Sequence, residues 1–176
     1  MSLALRIEES GAGDRRTLDA LYRLSFPEED LLALIGDLLA RPDEVLSLSG
    51  HAGEEIAGHV ALTRCRIDGG GGGVALLGPL AVRPDRRRQG IARALVETGL
   101  TRFAAEGIAL VCVLGDPAFY GRLGFAAESA VRPPYELPEA WHPAWQSRRL
   151  DPAAAAALSG RLAVPQPWRR PELWGA

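Results

Sequence analysis

Arg86-Arg87-Arg88-Gln89-Gly90-Ile91-Ala92-Arg93-Ala94-Leu95 sets a basic, glycine-containing turn between a strand-like run and an amphipathic helix. Upstream, Leu76-Leu77-Gly78-Pro79-Leu80-Ala81-Val82 reads as a buried strand. Downstream, Ile91, Leu95, Gly99 and Phe103 recur at four-residue spacing, with Ala92, Val96 and Leu100 beside them. The first-turn N–H groups of such a helix lack intrahelical partners and carry the positive end of its dipole, so they can hold a phosphate if no side chain stands in front of them. Gly90 and Ala92 keep that approach clear. Taken alone, the pattern fits equally a plain turn with Arg86, Arg87, Arg88 and Arg93 on a solvated face, because short glycine patterns are common.

A second motif narrows the choice. Phe119-Tyr120-Gly121-Arg122-Leu123-Gly124-Phe125 follows a strand run, Ile108 to Leu114, and a helix start at Asp116-Pro117. Arg87-Arg88-Gln89-Gly90-Ile91-Ala92 matches a Gln/Arg-x-x-Gly-x-Gly/Ala loop, and Tyr120 through Phe125 matches a Tyr-x-x-x-Gly-Phe element. In this order the two resemble the GNAT superfamily of N-acetyltransferases. The ending Leu114-Gly115-Asp116-Pro117 is also similar to a bacterial subgroup of that superfamily. The resemblance runs from about residue 57 to residue 131. It implies an α/β (α+β) fold, with a central mixed, mostly antiparallel twisted sheet flanked by helices. It also implies one acetyltransferase domain over residues 1–176, with 57–131 as the acetyl-CoA-binding core.

Composition bounds the alternatives. A chain of 176 residues is one domain by size and buries close to 70% of its unfolded surface by a rough size scaling. The net charge is −2 and all twenty basic residues are arginine, so neither a nucleic acid nor an acidic membrane is an expected partner. Cys65 and Cys112 fall in strand-like runs, where a thiol behaves as a small apolar group, and this predicts a reduced, cytoplasmic protein. Met1 to Ile7 lacks the apolar core of a signal peptide, and no run approaches the roughly twenty apolar residues of a membrane span. Met1-Ser2-Leu3 reads as a cloning remnant.

Along the chain, Ala4 to Glu8 predicts a short edge strand. Helices are predicted from Gly13-Asp14 to Phe26 and from Glu28 to Leu39, then strands over Val45 to Ser49 and Ile56 to Ile67. The five glycines from Gly69 to Gly73 precede no Lys-Ser/Thr and read as a hairpin tip. Asp151-Pro152 predicts an N-cap and first helical residue heading the alanine run 153–157. The proline- and tryptophan-rich tail, residues 165–176, carries Trp168 and Trp174 without periodicity and reads as a wrapped arm or a disordered end. Exposed tryptophans would suit a homodimer contact.

The resemblance assigns roles. Arg87, Arg88, Gln89, Gly90, Ile91, Ala92 and Arg93 would hold the pyrophosphate of acetyl-CoA. The backbone edge of Leu80, Ala81 and Val82 would take the pantetheine arm, and an N–H there would stabilise the developing oxyanion. Tyr120 would be the general acid for the leaving thiolate, a phenol of pKa about 10 being protonated at neutral pH. No metal is expected. The acceptor is a primary amine of a small molecule or peptide, attacking directly in a ternary complex. Two alternatives remain open: a non-catalytic acyl-CoA-binding or sensor domain, and an acyltransferase using a different acyl-CoA donor. Asp116 reads as a cap. Glu28, Glu29, Asp30 and His59 read first as surface carboxylates and a satisfied core histidine, so no general base is assigned.

Overall fold

The computed structural model describes residues 4–176, and the reading of Met1-Ser2-Leu3 lies outside the described residues. The chain forms two compact units, one holding residues up to Leu62 together with Gly78–Gly99, the other holding Thr63–Leu77 and Leu100–Ala176.

The first unit opens with β1 (Leu5–Glu9), followed by α1 (Arg15–Ser25), α2 (Leu32–Leu39) and β2 (Val45–Ala52). It then holds the first part of β3 (Glu55–Ile67), the last part of β4 (Val74–Val82) and the first part of α3 (Ile91–Ala105). β1 and β2 are antiparallel, from Leu5↔Ala52 to Glu9↔Leu48. The Gly11 N–H donates to the Asp14 carboxylate at 2.9 Å ahead of α1. Along α1, Leu18, Leu21, Tyr22 and Ser25 are buried, three or four residues apart, so one face of the helix meets the core. That core gathers Leu18, Leu21, Tyr22, Ile35, Leu39, Ile56 and Ala81. α2 begins at Leu32 rather than at Glu28. The Leu32 N–H donates to Asp30 Oδ1 at 3.3 Å, an Asx-type turn that holds residues 28–30 in the loop.

In the second unit, β4 pairs in parallel with β5 (Leu110–Leu114) from Val74↔Leu110 to Leu77↔Val113. β8 (Trp145–Arg149) runs antiparallel to β5, and β6 (Ala126–Ala127) runs antiparallel to β8. β9 (Gly160–Ala163) pairs antiparallel with the end of β3 and parallel with β7 (Val131–Arg132). The strands are thus mixed and mostly antiparallel, with helices beside them. α4 (Pro117–Gly121) and α5 (Pro152–Ala156) each carry the expected Asp-Pro start. Asp116 accepts from the Ala118 N–H at 2.9 Å and Asp151 from the Ala154 N–H at 3.2 Å. The Gly69–Gly73 segment joins β3 to β4 as a turn, as expected.

The tail is a wrapped arm. Trp168 and Trp174 are buried on single 3-10 turns, and the Trp168 indole N–H donates to Thr63 Oγ1 at 3.1 Å. Trp145 is buried too, which leaves Trp141, 40% exposed, as the tryptophan that could meet a second copy.

Candidate active site

The basic turn lies wholly in the first unit. After β4, one 3-10 turn (Pro84–Arg86) leads to Arg87, Arg88, Gln89 and Gly90, all exposed, and α3 begins at Ile91. The Ala94 N–H bonds the Gly90 carbonyl at 3.0 Å, so the N–H groups of Ile91, Ala92 and Arg93 precede the first bond of the helix. Ile91 is buried and anchors this end. Gly90 has φ +80 and a Cβ there would meet nothing within 4 Å, so backbone conformation rather than crowding selects glycine, and the space in front of the turn is open. Arg88 is also left-handed, at φ +62. For a non-glycine residue that costs about 1–2 kcal/mol, a strain that clusters at ligand clamps.

The arginines divide by partner. Arg83 bonds Asp85 at 3.0 Å and Glu55 at 2.6 Å, and Arg86 reaches Glu55 at 3.5 Å. The hydrogen bond from Arg83 holds the Asp85 carboxyl below its usual value and raises the Arg83 guanidinium. Arg87 donates to the Ser25 carbonyl at 3.3 Å, and Ser25 Oγ donates to the Val82 carbonyl at 3.2 Å, tying the end of α1 to β4 and the turn. Arg88 has no hydrogen bond or ion pair among the described residues, leaving an uncommitted cation beside open helix N–H groups. Leu80 to Val82 continue β4 past its paired register with β5, which ends at Leu77.

The tyrosine motif lies wholly in the second unit. Asp116 caps α4, as expected. Of the two aromatics it is Tyr120 that packs inward, being 9% exposed whereas Phe119 is only half-buried. The reason is that α4 is short and turns Tyr120 inward, between Phe119 at 4.9 Å and Phe125 at 5.5 Å, both edge-on. A Cβ on Gly115 would lie 2.4 Å from Tyr120 Cε2, so that glycine makes room for the ring. The phenol has no hydrogen-bond partner among the described residues, and burial raises its pKa well above the ordinary 10.

Two features of the first unit have no counterpart in the motifs. A cavity of about 510 Å³ at the α1–α2 junction is lined by Tyr22, Phe26, Glu28, Glu29, Asp30 and neighbours. Behind it, His59 is 1% exposed and satisfied on both nitrogens: Nδ1 meets the Tyr22 hydroxyl at 2.8 Å and Nε2 meets Ser47 Oγ at 2.7 Å. Burial pushes its pKa down to about 3, so the ring is neutral at physiological pH. In the unfolded chain it protonates near 6.5. Between those values the unfolded state binds the extra proton, and stability falls as pH is lowered. Urea unfolding is expected to lose about 1.4 kcal/mol per pH unit below 6.5 from this group. In His59→Gln, whose amide can still donate and accept, that part of the slope disappears; an unchanged slope would show that His59 is not the acid-sensitive group.

Residues 15–125 match the sequence profile of the Acetyltransferase (GNAT) family, a span that includes both the basic turn and Tyr120. The chain belongs to the GNAT acetyltransferase family. It is therefore an acyltransferase. The uncharacterised N-acetyltransferase YhbS of Escherichia coli strain K12 is 38% identical over 115 residues, covering 64% of this chain and 68% of that protein. The crystal structure of Escherichia coli YhbS in complex with CoA matches with a TM-score of 0.86 and 30% identity, over 97% of this chain and 94% of that one. A GNAT family acetyltransferase from Brucella melitensis in complex with acetyl-CoA shares the fold, with a TM-score of 0.73 and 22% identity over 94% and 99% of the two chains.

Among the described residues no cluster of three or more His, Cys, Asp or Glu could hold a metal ion, and no helix is long and apolar enough to cross a membrane. Cys65 and Cys112 are buried and joined in no disulfide, and burial raises the Cys112 pKa.

Proposed function

We propose that this chain transfers the acetyl group of acetyl-CoA to a primary amine of a small molecule or peptide, by direct attack with both substrates bound. The observation that carries the reading is the exposed turn Arg87–Ala92: left-handed backbone at Arg88 and Gly90, open N–H groups at the start of α3, and an uncommitted guanidinium. This is a built anion cradle. Family membership and the CoA complex of the YhbS relative support CoA as the anion's bearer.

In this reading the backbone of Gln89 to Ala92 holds the pyrophosphate, and Arg87, Arg88 and Arg93 add charge-assisted contacts. The edge of Leu80, Ala81 and Val82 aligns the pantetheine arm as an added strand, and an N–H there faces the carbonyl oxygen as negative charge grows on it. The thioester supplies the activated acyl group. As the new N–C bond forms and the C–S bond breaks, Tyr120 donates its hydroxyl proton to the departing thiolate, and the proton shed by the acylated nitrogen restores the phenol. Its raised pKa keeps the proton in place until then, and the same dry surroundings make the thiolate a correspondingly stronger base. The whole chain would act as one cytoplasmic acetyltransferase domain, with residues 57–131 as its cofactor-binding core and neither nucleic acid nor membrane as partner.

Calorimetric titration with CoA and acetyl-CoA tests the reading, followed by thioester consumption with a panel of primary amines. Micromolar binding is expected, and absence of binding to either would sink it. Tyr120→Phe is expected to bind CoA as the wild type does and to lose about a hundredfold in kcat, the range for one positioned acid. An unchanged kcat would remove Tyr120 from the chemistry.

A further inference from the structure

Acetylation of an alkylamine must dispose of a proton, since an amine of pKa near 10 is almost wholly protonated at pH 7 and the attacking nitrogen loses a further proton as its bond to carbon forms. The carboxylates around the α1–α2 cavity are exposed. Tyr22 is one of the residues lining the cavity, and from its hydroxyl runs an unbroken file of polar atoms. The Tyr22 hydroxyl meets His59 Nδ1 at 2.8 Å, His59 Nε2 meets Ser47 Oγ at 2.7 Å, and Ser47 Oγ meets Ser10 Oγ at 2.7 Å. Tyr22, His59 and Ser47 are buried, whereas Ser10, just past the end of β1, is half-buried. The file therefore begins at a cavity and ends near solvent.

Resting on the acetyl-transfer reading, we propose that Tyr22, His59, Ser47 and Ser10 form a proton wire that carries the acceptor amine's proton from the α1–α2 cavity to the surface beside β1. Every member is both donor and acceptor, so the file can point either way. In the outward setting Tyr22 donates to Nδ1, Nε2–H donates to Ser47, and Ser47 donates to Ser10. When the amine nitrogen gives a proton to Tyr22 Oη, the Tyr22 proton passes to Nδ1. The Nε2 proton then passes to Ser47, the Ser47 proton to Ser10, and the Ser10 proton to water. No net charge remains in the core: His59 begins and ends neutral, in the opposite tautomer, and hydroxyl rotation with tautomer exchange resets the file. A histidine kept merely to fill the core needs one fixed tautomer. A wire needs both, and hydroxyls on the two sides favour neither.

The test is solvent-proton exchange at the His59 ring, measured by NMR on protein carrying 15N-histidine. In the wild type the two ring nitrogens are expected to show signals averaged between protonated and bare forms. Their proton should exchange with water far faster than the neighbouring core amides do. Ser47→Ala is expected to freeze one tautomer and slow that exchange at least tenfold. Ser49→Ala is the control: that serine is buried two residues along β2 and its hydroxyl has no hydrogen-bond partner among the described residues, so its loss should change neither signal. CoA titration of the same samples separates the failures. Absence of CoA binding by the wild type would sink the transfer reading and the wire's purpose with it. CoA bound while His59 holds a single tautomer, or exchanges as slowly as the core amides, would overturn the wire alone.

Discussion

Gly90→Glu is expected to weaken CoA binding about a thousandfold, close to 4 kcal/mol, while leaving the melting temperature near that of the wild type. Two effects add. The backbone at Gly90 sits at φ +80, where any side chain costs about 1–2 kcal/mol, so in the free variant this exposed turn relaxes and binding must restore it. The new carboxylate would stand where phosphate is to lie, and one unit charge against another at roughly 5 Å in an effective dielectric of 20 costs about 3 kcal/mol. Folding should survive, because the position is exposed and a Cβ there meets no protein atom within 4 Å. Gly90→Ala separates the terms: it keeps the conformational cost and drops the charge, so it should lose about tenfold. Equal losses in both variants would mean that the turn fails by distortion alone. No loss in either would mean that CoA does not sit on this turn.

The turn and the tyrosine helix were legible because each is local. A strand, a glycine and a helix period within twenty residues fix one; an Asp-Pro cap followed by an aromatic pair fixes the other. What the sequence hides is joined across distance. His59 is an isolated histidine on a strand until Tyr22, 37 residues away, and Ser47, 12 residues away, close on its two nitrogens. β8 escapes periodicity for a similar reason. Gln146 and Ser147 are polar but buried, because Gln146 Nε2 donates to the Gly115 carbonyl at 3.0 Å and Ser147 Oγ donates to Glu128 at 2.6 Å. Polar residues satisfied by distant partners read as surface when only their neighbours are known. The start of α2 is misread because Glu28 to Asp30 have good helix spacing, and only the Asp30 hydrogen bond to Leu32 shows that the carboxylate ends the loop. That misreading matters for function, since it would have placed the carboxylates of the cavity rim on a helix face.

The C-terminal arm is the other place where sequence alone left two outcomes, and here the structure makes a prediction of similar size. Trp174→Ala is expected to destabilise the protein by about 3–5 kcal/mol, the range for truncating a buried large aromatic. Trp174 is 2% exposed and lies 6.0 Å from the Trp145 ring and 6.1 Å from the Trp168 ring, centre to centre. Its indole N–H donates to the Trp168 carbonyl at 3.1 Å, so truncation both opens a cavity and leaves a carbonyl without its donor. The loss should spread beyond the arm. Trp145, which Trp174 touches edge-on, belongs to β8, and its own indole N–H holds the Val131 carbonyl at 2.8 Å on β7. Trp174→Phe keeps most of the ring area and gives up the hydrogen bond, so about 1–2 kcal/mol is expected there. Urea unfolding of the two variants decides the matter. If alanine costs less than about 1 kcal/mol, the arm does not belong to the folded core, and its tryptophans must be explained by contact with a second copy, which light scattering at the same concentration would register.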